Sequence, residues 1–510
     1  MNSNKFKFLI FLILLIILFF IILYSIFGFS FSFLSRQQIK ENRKFNKNLI
    51  NELKINNMNA TYDKNNNIYY YNIEDKYENK NYILKLELES GYKYKLLGFD
   101  LNIIKVDYNK PIDVLIYNKN YYYQTKIQIT NLPIINITTD EKITDLDTIS
   151  AFKYINSKNI DKMYSYNSKI HVRGATTRWY GKKSYKLDVY NKEYTKEKKI
   201  NIPNFYYGSS FILDAVYRDP SKIRNVLAIE IWNDISNDFN NVKMYSEFVE
   251  LFINNEYVGL YVLTEPVNRT KLNLNKSKNN STSFVIKSND WSIVKDVDSK
   301  LFYSDYYDKM YELKYPNDEE YFYDVWNNFF NKISNFYNND IKNTYDVIIN
   351  TWNIKNYIDL VIFNDFIFNS DNKLIKNNYF YSNNLNSEFY LQPWDMEFSF
   401  GLFYSNSSLY NRKKDYTKND IILFYHPYSN EINKLLIERY YELRKNILTE
   451  EYFDNKLDYY INLLSKGSAN RDSKLWYEYD VVTEIEEIRT WLYDRLDYFD
   501  KFVKELENEF

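Results

Sequence analysis

The stretch "FNDFIFNSDNKLIKNNYFYSNNLNSEFYLQPWDMEFSFG", Phe363 to Gly401, carries the reading of the fold. An apolar helical run ends in a polar break at Asp371, two strands follow around an Asn-rich turn, and the second strand closes on Asp395. A hairpin brings its two ends together, so Asp371, Asn378 and Asp395 converge. One carboxylate to orient or deprotonate a hydroxyl, with an amide oxygen and a second carboxylate to hold magnesium, is the minimum set for phosphoryl transfer. Singly, each residue is what a turn normally contains; the order and the aromatic setting give the set its weight. Glu397 stands two positions beyond Asp395. Alternation along an extended segment aims both carboxylates to one side and Trp394, Met396 and Phe398 to the other.

Outward from this hairpin the chain mixes α and β from Pro133 onward. "IRNVLAIEIWNDI" repeats apolar residues at helical spacing, and "EFVELFINNEYVGLYVLTE" reads as two strands joined at Asn254-Asn255. Helical sequence precedes the hairpin ("YDVIINTWNIKNYIDLVIFNDFIF") and follows it to the end, where "EIEEIRTWLYDRLDYFDKFVKEL" is the clearest amphipathic helix. In "RGATTRWYGKKSYKLDVY" a strand over Lys182 to Tyr190 puts Tyr185, Leu187 and Val189 on one face. Lys182, Ser184, Lys186 and Asp188 share the other. Two ammonium groups side by side suit a polyphosphate or acidic ligand; the alternative is a solvated strand face. Asp219 before Pro220 reads as a helix N-cap with proline at the first helical position. Arg224 and Asn225, one turn in, either orient a carboxylate or phosphate or lie on the surface. Glu265 is either a strand end or the acid that pairs with one of the lysines.

The 510 residues allow two to four domains. Lys and Arg number 66 against 67 Asp and Glu, a net charge of -1 that gives no reason to expect nucleic acid as a partner. The absence of cysteine excludes disulfides, thiolate zinc sites and a cysteine nucleophile, and two histidines leave carboxylate and lysine chemistry. From Phe8 to Leu34 there is no charge, and Phe8 to Tyr24 is unbroken apolar sequence, enough to cross a bilayer. A retained anchor is favoured over a cleaved signal because no Ala-x-Ala site is present. Arg36, Lys40, Arg43, Lys44 and Lys47 follow it, and the positive-inside rule then favours a cytoplasmic C-terminal side, in conflict with export. The expected organisation is a membrane or signal segment over 1–34, a polar tether over 35–59, a small antiparallel β-sandwich-like domain over 60–131, and the main domain over 132–510.

Six motifs in order, "LPIINITTD", "RGATTRWYGKKSYKLDVY", "DPSKIRNVLAIEIW", "FINNEYVGLYVLTEPV", "NSDNKLIKNNYFY" and "QPWDMEFSFG", resemble the CotH family of spore-coat-protein-H-like atypical kinases, from about Leu132 to the C-terminus. The resemblance implies an α+β, two-lobed, protein-kinase-like domain with a helical C-terminal part. It implies ATP and magnesium as cofactors and transfer of the γ-phosphate to Ser or Thr of a surface or spore-coat-type protein. By it, Asp371 takes the catalytic-base position, Asn378 and Asp395 take metal positions, helped by Glu397, and Asn377 is a possible substitute for Asn378. The phosphate-binding lysine is one of Lys182, Lys183 and Lys186, with Glu265 as partner and with Arg224 and Asn225 supporting the site from the helix start. The chain departs from the family at Gly181, where proline is usual, and at Glu397, where many members have Asp. It has neither a G-x-G-x-x-G loop nor an H-R-D triplet. The location implied is membrane-anchored at the cell surface or exported, with a cytoplasm-facing orientation left open. Two competing readings are a non-catalytic, pseudokinase-like coat assembly scaffold and a glycosidase using Asp395 and Glu397, about 7 Å apart on a strand, as its carboxylate pair.

Overall fold

Seven strands close into a barrel: β1 (Ile134–Thr138), β2 (Thr148–Ile155), β3 (Tyr164–Arg173), β4 (Ser184–Tyr190), β5 (Ser210–Asp214), β6 (Ser246–Ile253) and β7 (Glu256–Thr264). The order is β1-β2-β3-β4-β5-β7-β6; neighbours are antiparallel except β6 and β1, which close the ring in parallel. Inward side chains such as Ile135, Phe152, Ile170, Tyr185, Leu187, Val189, Leu213 and Leu251 fill the interior. The alternation read in "SYKLDVY" therefore holds, although β4 begins at Ser184 and leaves Lys182 in the preceding turn. Asn254 and Asn255 adopt φ of 51° and 61°, the left-handed pair that a two-residue hairpin demands. The Asn254 amide then clamps Thr139, accepting from its N–H at 2.9 Å and donating to its carbonyl at 2.8 Å.

This computed structural model describes residues 36–509 apart from 42, 47–51, 160–163, 175, 237–241, 278–281, 291–309, 339–344, 373–375, 404–410 and 413–428. The apolar segment Phe8 to Leu34 lies outside them, and among the described residues no helix is long and apolar enough to cross a membrane.

Helix α1 (Arg224–Ile235) lies between the barrel and the rest of the core. Its Leu227, Ile231 and Trp232 join one cluster with Ile212, Phe248, Leu260 and Val262 from the outer barrel face and with the helices that follow. Burying such side chains is worth about 1.5–3 kcal/mol each. The helix starts at Arg224 rather than at Pro220, because Asp219 folds forward instead of capping: its carboxylate accepts from Ser221 N at 3.0 Å and Arg224 N at 2.8 Å.

The second lobe contains α2 (Phe322–Asn338), α3 (Tyr345–Thr351), α4 (Ile354–Phe366), α5 (Asn430–Leu443), α6 (Glu450–Leu464), α7 (Ser468–Leu475) and α8 (Val481–Glu507). An antiparallel sheet lies with them, built from β8 (Phe284–Ser288), β9 (Tyr311–Tyr315), β10 (Asn378–Ser382) and β11 (Tyr390–Pro393) in the order β9-β8-β10-β11. Helix α4 is buried over nearly its whole length; Asn353 caps its start by accepting from Asn356 N at 3.2 Å. In α8, Ile485, Ile488, Leu492, Leu496, Phe499 and Val503 repeat every three or four residues and are buried.

Ahead of the barrel stands a β-rich part with its own core, and it differs from the expected antiparallel sandwich. Its largest sheet is mixed: Tyr121–Thr130 pairs antiparallel with Ile112–Tyr117 but parallel with Ile68–Asn72 and Lys44–Phe45. Strands at Lys44–Phe45, Lys54–Ile55 and Met58–Asn59 also fall within the stretch read as a tether. Tyrosine and isoleucine alternation marks strands equally well in either direction, so spacing could not distinguish the two pairings. Tyr121–Thr130 continues straight toward β1, and Thr130 donates to the buried Glu250 on β6 at 3.0 Å.

Candidate active site

The hairpin does bring its ends together, and each step has a local cause. Arg495 of α8, wholly buried, donates to Phe366 O at 3.0 Å and to Asp365 O, closing the C-terminal end of α4. Beyond it, Ser370 donates from its N–H at 3.1 Å and its hydroxyl at 3.2 Å to Phe398 O, stitching the segment before Asp371 to the one after Asp395. The Asp371 carboxylate accepts from Lys376 Nζ at 2.8 and 2.9 Å and from Asn377 Nδ2 at 3.0 Å. Asn378 opens β10, fully buried, in a reciprocal amide pair with Asn372: it donates at 2.7 Å and accepts at 3.2 Å. Trp394 N donates to Asn377 O at 2.9 Å, and Pro393 pairs with Asn378, so Asp395 follows one residue beyond the last bond of the ladder.

Strand β11 stops at Pro393, and Asp395 takes φ 57°, so the carboxylates do not lie on an extended segment as expected. Burial alternates only as far as Met396: Trp394 and Met396 are buried and Asp395 is exposed, whereas Glu397 and Phe398 are both partly exposed.

The barrel supplies the facing wall. Arg173 at the end of β3 pairs across the sheet with Ser184, whose hydroxyl donates to Asp214 Oδ1 at 3.3 Å at the end of β5. Asn225 Nδ2 reaches Asp214 Oδ2 at 3.5 Å, and Asn225 Oδ1 accepts from Met396 N at 3.1 Å. Asn225 thus ties the barrel carboxylate to the loop carrying Asp395 and Glu397.

The electrostatics of the two carboxyls follow from this juxtaposition. Burial is the main cause that raises the Asp395 carboxyl, followed by the charge of Asp214, while Lys287 and Arg173 oppose the rise. Glu397 is pushed well above the carboxylate range by burial, then by Asp214, Asp395 and Asp219. Asp395 is reached by solvent and yet lies within the field of Asp214, Asp371, Lys287 and Arg173. Among the described residues, no three acidic or histidine side chains stand ready as a metal cage. The sequence reading gave no role to Asp214, Arg173 or Lys287. A carboxylate directly after the buried run Phe211 to Leu213 was the one available sign for Asp214.

The other expected residues are placed elsewhere. Lys182 and Lys186 do not stand side by side. Lys182 is fully buried and donates to Leu260 O at 2.6 Å and Asp472 Oδ1 at 2.7 Å, whereas Lys186 is 39% exposed and pairs with Asp188 at 3.0 Å. Burial pushes the Lys182 ammonium down, against the charge of Asp472. Asp472, on α7, also faces Lys222 at 3.8 Å and accepts from Tyr479 OH at 3.0 Å and Leu260 N at 2.9 Å. Gly259 allows this approach: at φ 124° it has no Cβ, which would run into Asp472 Oδ1. Lys183 donates to Arg178 O at 2.6 Å on the surface. Glu265 is buried against Lys271 and accepts from Tyr245 N at 3.0 Å, so its partner is not a β4 lysine. Arg224 is buried, and its ion pair with Asp219 holds the guanidinium within the turn rather than at the carboxylates of the hairpin.

Comparison with known proteins agrees with this architecture. Over 204 residues the chain is 24% identical to the inner spore coat protein H of Bacillus subtilis (strain 168), covering 38% of this chain and 50% of that protein. The chain therefore spans about half the length of the curated relative it matches. The profile described as CotH kinase protein matches residues 170–499, from within β3 through most of α8; β1 and β2 precede the match, yet the barrel cannot close without them. The chain belongs to the CotH kinase protein family.

Proposed function

We propose that the cleft binds ATP with magnesium and transfers the γ-phosphoryl group to a Ser or Thr hydroxyl of a protein. One observation carries this reading: Asp371, Asn378 and Asp395 converge on one wall, with Asp214 delivered from the barrel opposite. The donor set fits a hard cation. It consists of oxygens alone, and the carboxyls of Asp395 and Glu397 are raised first by burial and next by the charge of Asp214, a cost that a divalent ion relieves. Asp395 and one further carboxylate, Glu397 or Asp214, with the amide oxygen of Asn378 or Asn377, would hold magnesium, and phosphate oxygens and water would complete its shell. Bound there, the ion supplies positive charge against the phosphates.

Asp371 is held by Lys376 and Asn377, and in this reading its carboxylate is the proton acceptor. The acceptor hydroxyl oxygen bonds to the γ-phosphorus as the bond from that phosphorus to the bridging oxygen breaks. The hydroxyl proton passes to Asp371, and ADP leaves. The name of the Bacillus relative supports a coat-type protein as the acceptor. It equally favours a second reading, a non-catalytic scaffold for coat assembly. Transfer of labelled γ-phosphate to protein hydroxyls separates them. Incorporation by the full chain that Asp371→Asn abolishes supports the enzyme; its absence in the unaltered chain with magnesium and a coat-protein acceptor supports the scaffold.

A further inference from the structure

The cleft holds three donors that the carboxylate chemistry leaves unused. Lys287 lies on β8, in register with Tyr379 on β10 and Glu312 on β9. Glu312 is ion-paired with Lys314, and the charge of Asp395 is what most supports the Lys287 ammonium, against Arg173 and Lys314. Arg173 ends β3 of the barrel and lies in the field of both Lys287 and Tyr379. Tyr379 is only 6% exposed; its ring stands perpendicular to Trp394 at 5.9 Å, and Arg173, Glu312 and Asp395 surround its hydroxyl electrostatically. Among the described residues, the side chains of Arg173, Lys287 and Tyr379 have no hydrogen bond or ion pair, although two are cations held close together and the third is a nearly buried hydroxyl. Two cations that share the single carboxylate Asp395, beside a donor without a hydrogen bond, can take a further anion with several oxygens.

We propose that Arg173, Lys287 and the Tyr379 hydroxyl form a seat for a phosphoryl group, reached by one donor from the barrel and two from the helical lobe. The inference rests on the phosphoryl-transfer reading of the cleft and gives it a different set of cations from the lysines around β4. The guanidinium offers a planar fork to two oxygens, the ammonium a point charge, and the phenol a single directed donor. Because the donors belong to different lobes, a phosphate between them also draws the barrel onto the carboxylate wall.

The test is calorimetric titration of the full chain with magnesium-ATP, magnesium-pyrophosphate and adenosine, for the unaltered protein and for Arg173→Gln, Lys287→Gln and Tyr379→Phe. Each cation change is expected to weaken ATP and pyrophosphate about tenfold or more, and the hydroxyl change several-fold, with Arg173→Lys recovering part of the loss. Adenosine binding stays as it was. Unfolding temperatures identify a variant that fails through misfolding, and Tyr379→Phe, which only removes an unbonded hydroxyl, keeps the test open in that case. ATP binding unchanged in all three variants overturns the seat while leaving the kinase reading standing. Pyrophosphate binding that depends on these residues, without ATP binding, supports the seat and removes the nucleotide reading. Binding of neither probe by the unaltered chain overturns both.

Discussion

Asn225 Oδ1 accepts the Met396 backbone N–H at 3.1 Å, so the first turn of α1 holds the loop that carries Asp395 on one side of Met396 and Glu397 on the other. The same amide points its Nδ2 toward Asp214. Asn225→Ala is expected to leave the Met396 N–H without its partner, costing about 1–3 kcal/mol of stability. Magnesium-ATP affinity should fall about tenfold as the carboxylates lose their fixed spacing. Urea unfolding and titration of the same variant check both.

The carboxylates of the cleft should destabilise the cation-free protein. The folded-state carboxyl of Asp395 lies above its ordinary value of 3.8, so the fold retains a proton that the unfolded chain has already lost. The corresponding stability is complete below that ordinary value and is lost as pH rises through the raised one. Asp395→Asn and Glu397→Gln are therefore expected to raise the unfolding temperature at neutral pH without magnesium. Added magnesium should stabilise the unaltered protein and leave Asp395→Asn nearly unmoved. Scanning calorimetry at pH 7, with and without the ion, reads this directly.

Two lysines share one buried aspartate beside the cleft. Asp472→Asn leaves Lys182 and Lys222 without their carboxylate and is expected to cost about 3–5 kcal/mol. Lys222 behaves differently: burial lowers its ammonium to about 8, opposed by Asp472 and assisted by Lys182, with Asp219 and Glu397 adding smaller support for the charge. The unfolded chain keeps that proton to higher pH, so stability rises as pH climbs past the lowered value. Between pH 7 and pH 9 the unaltered protein should gain about 1 kcal/mol relative to Lys222→Met, measured by urea unfolding.

Arg495 is a buried cation whose work is done by hydrogen bonds to the end of α4. Arg495→Met removes the donors and leaves the carbonyls of Asp365 and Phe366 without them, an expected cost of about 2–4 kcal/mol. Because α4 leads to Asp371, the variant that still folds should lose phosphate transfer more than it loses ATP affinity. Transfer rate and titration, compared in one preparation, distinguish these effects.

What could be read from the amino acids followed the range of the interaction. The hairpin, the Asn254-Asn255 turn and helix α8 are written in spacing and turn chemistry within a few residues and stand as read, and α1 does so except for its start. The convergence of Asp371, Asn378 and Asp395 was visible for the same reason. Partners across long separations were not. Asp472 reaches Lys182 from 290 residues away, and nothing in "GKKSYK" shows that its first lysine is buried. Asp214, Arg173 and Lys287 meet the carboxylates only because a barrel closes and a second sheet lies opposite it. The antiparallel expectation for the N-terminal strands failed because side-chain alternation carries no information about the direction of a neighbour.

Magnesium-dependent ATP binding by the full chain, compared with Asp395→Ala, is the most direct test of the phosphoryl-transfer cleft. Tight binding that needs magnesium and disappears in Asp395→Ala is the expected result; no binding of ATP with magnesium, or binding that Asp395→Ala leaves unchanged, would contradict it.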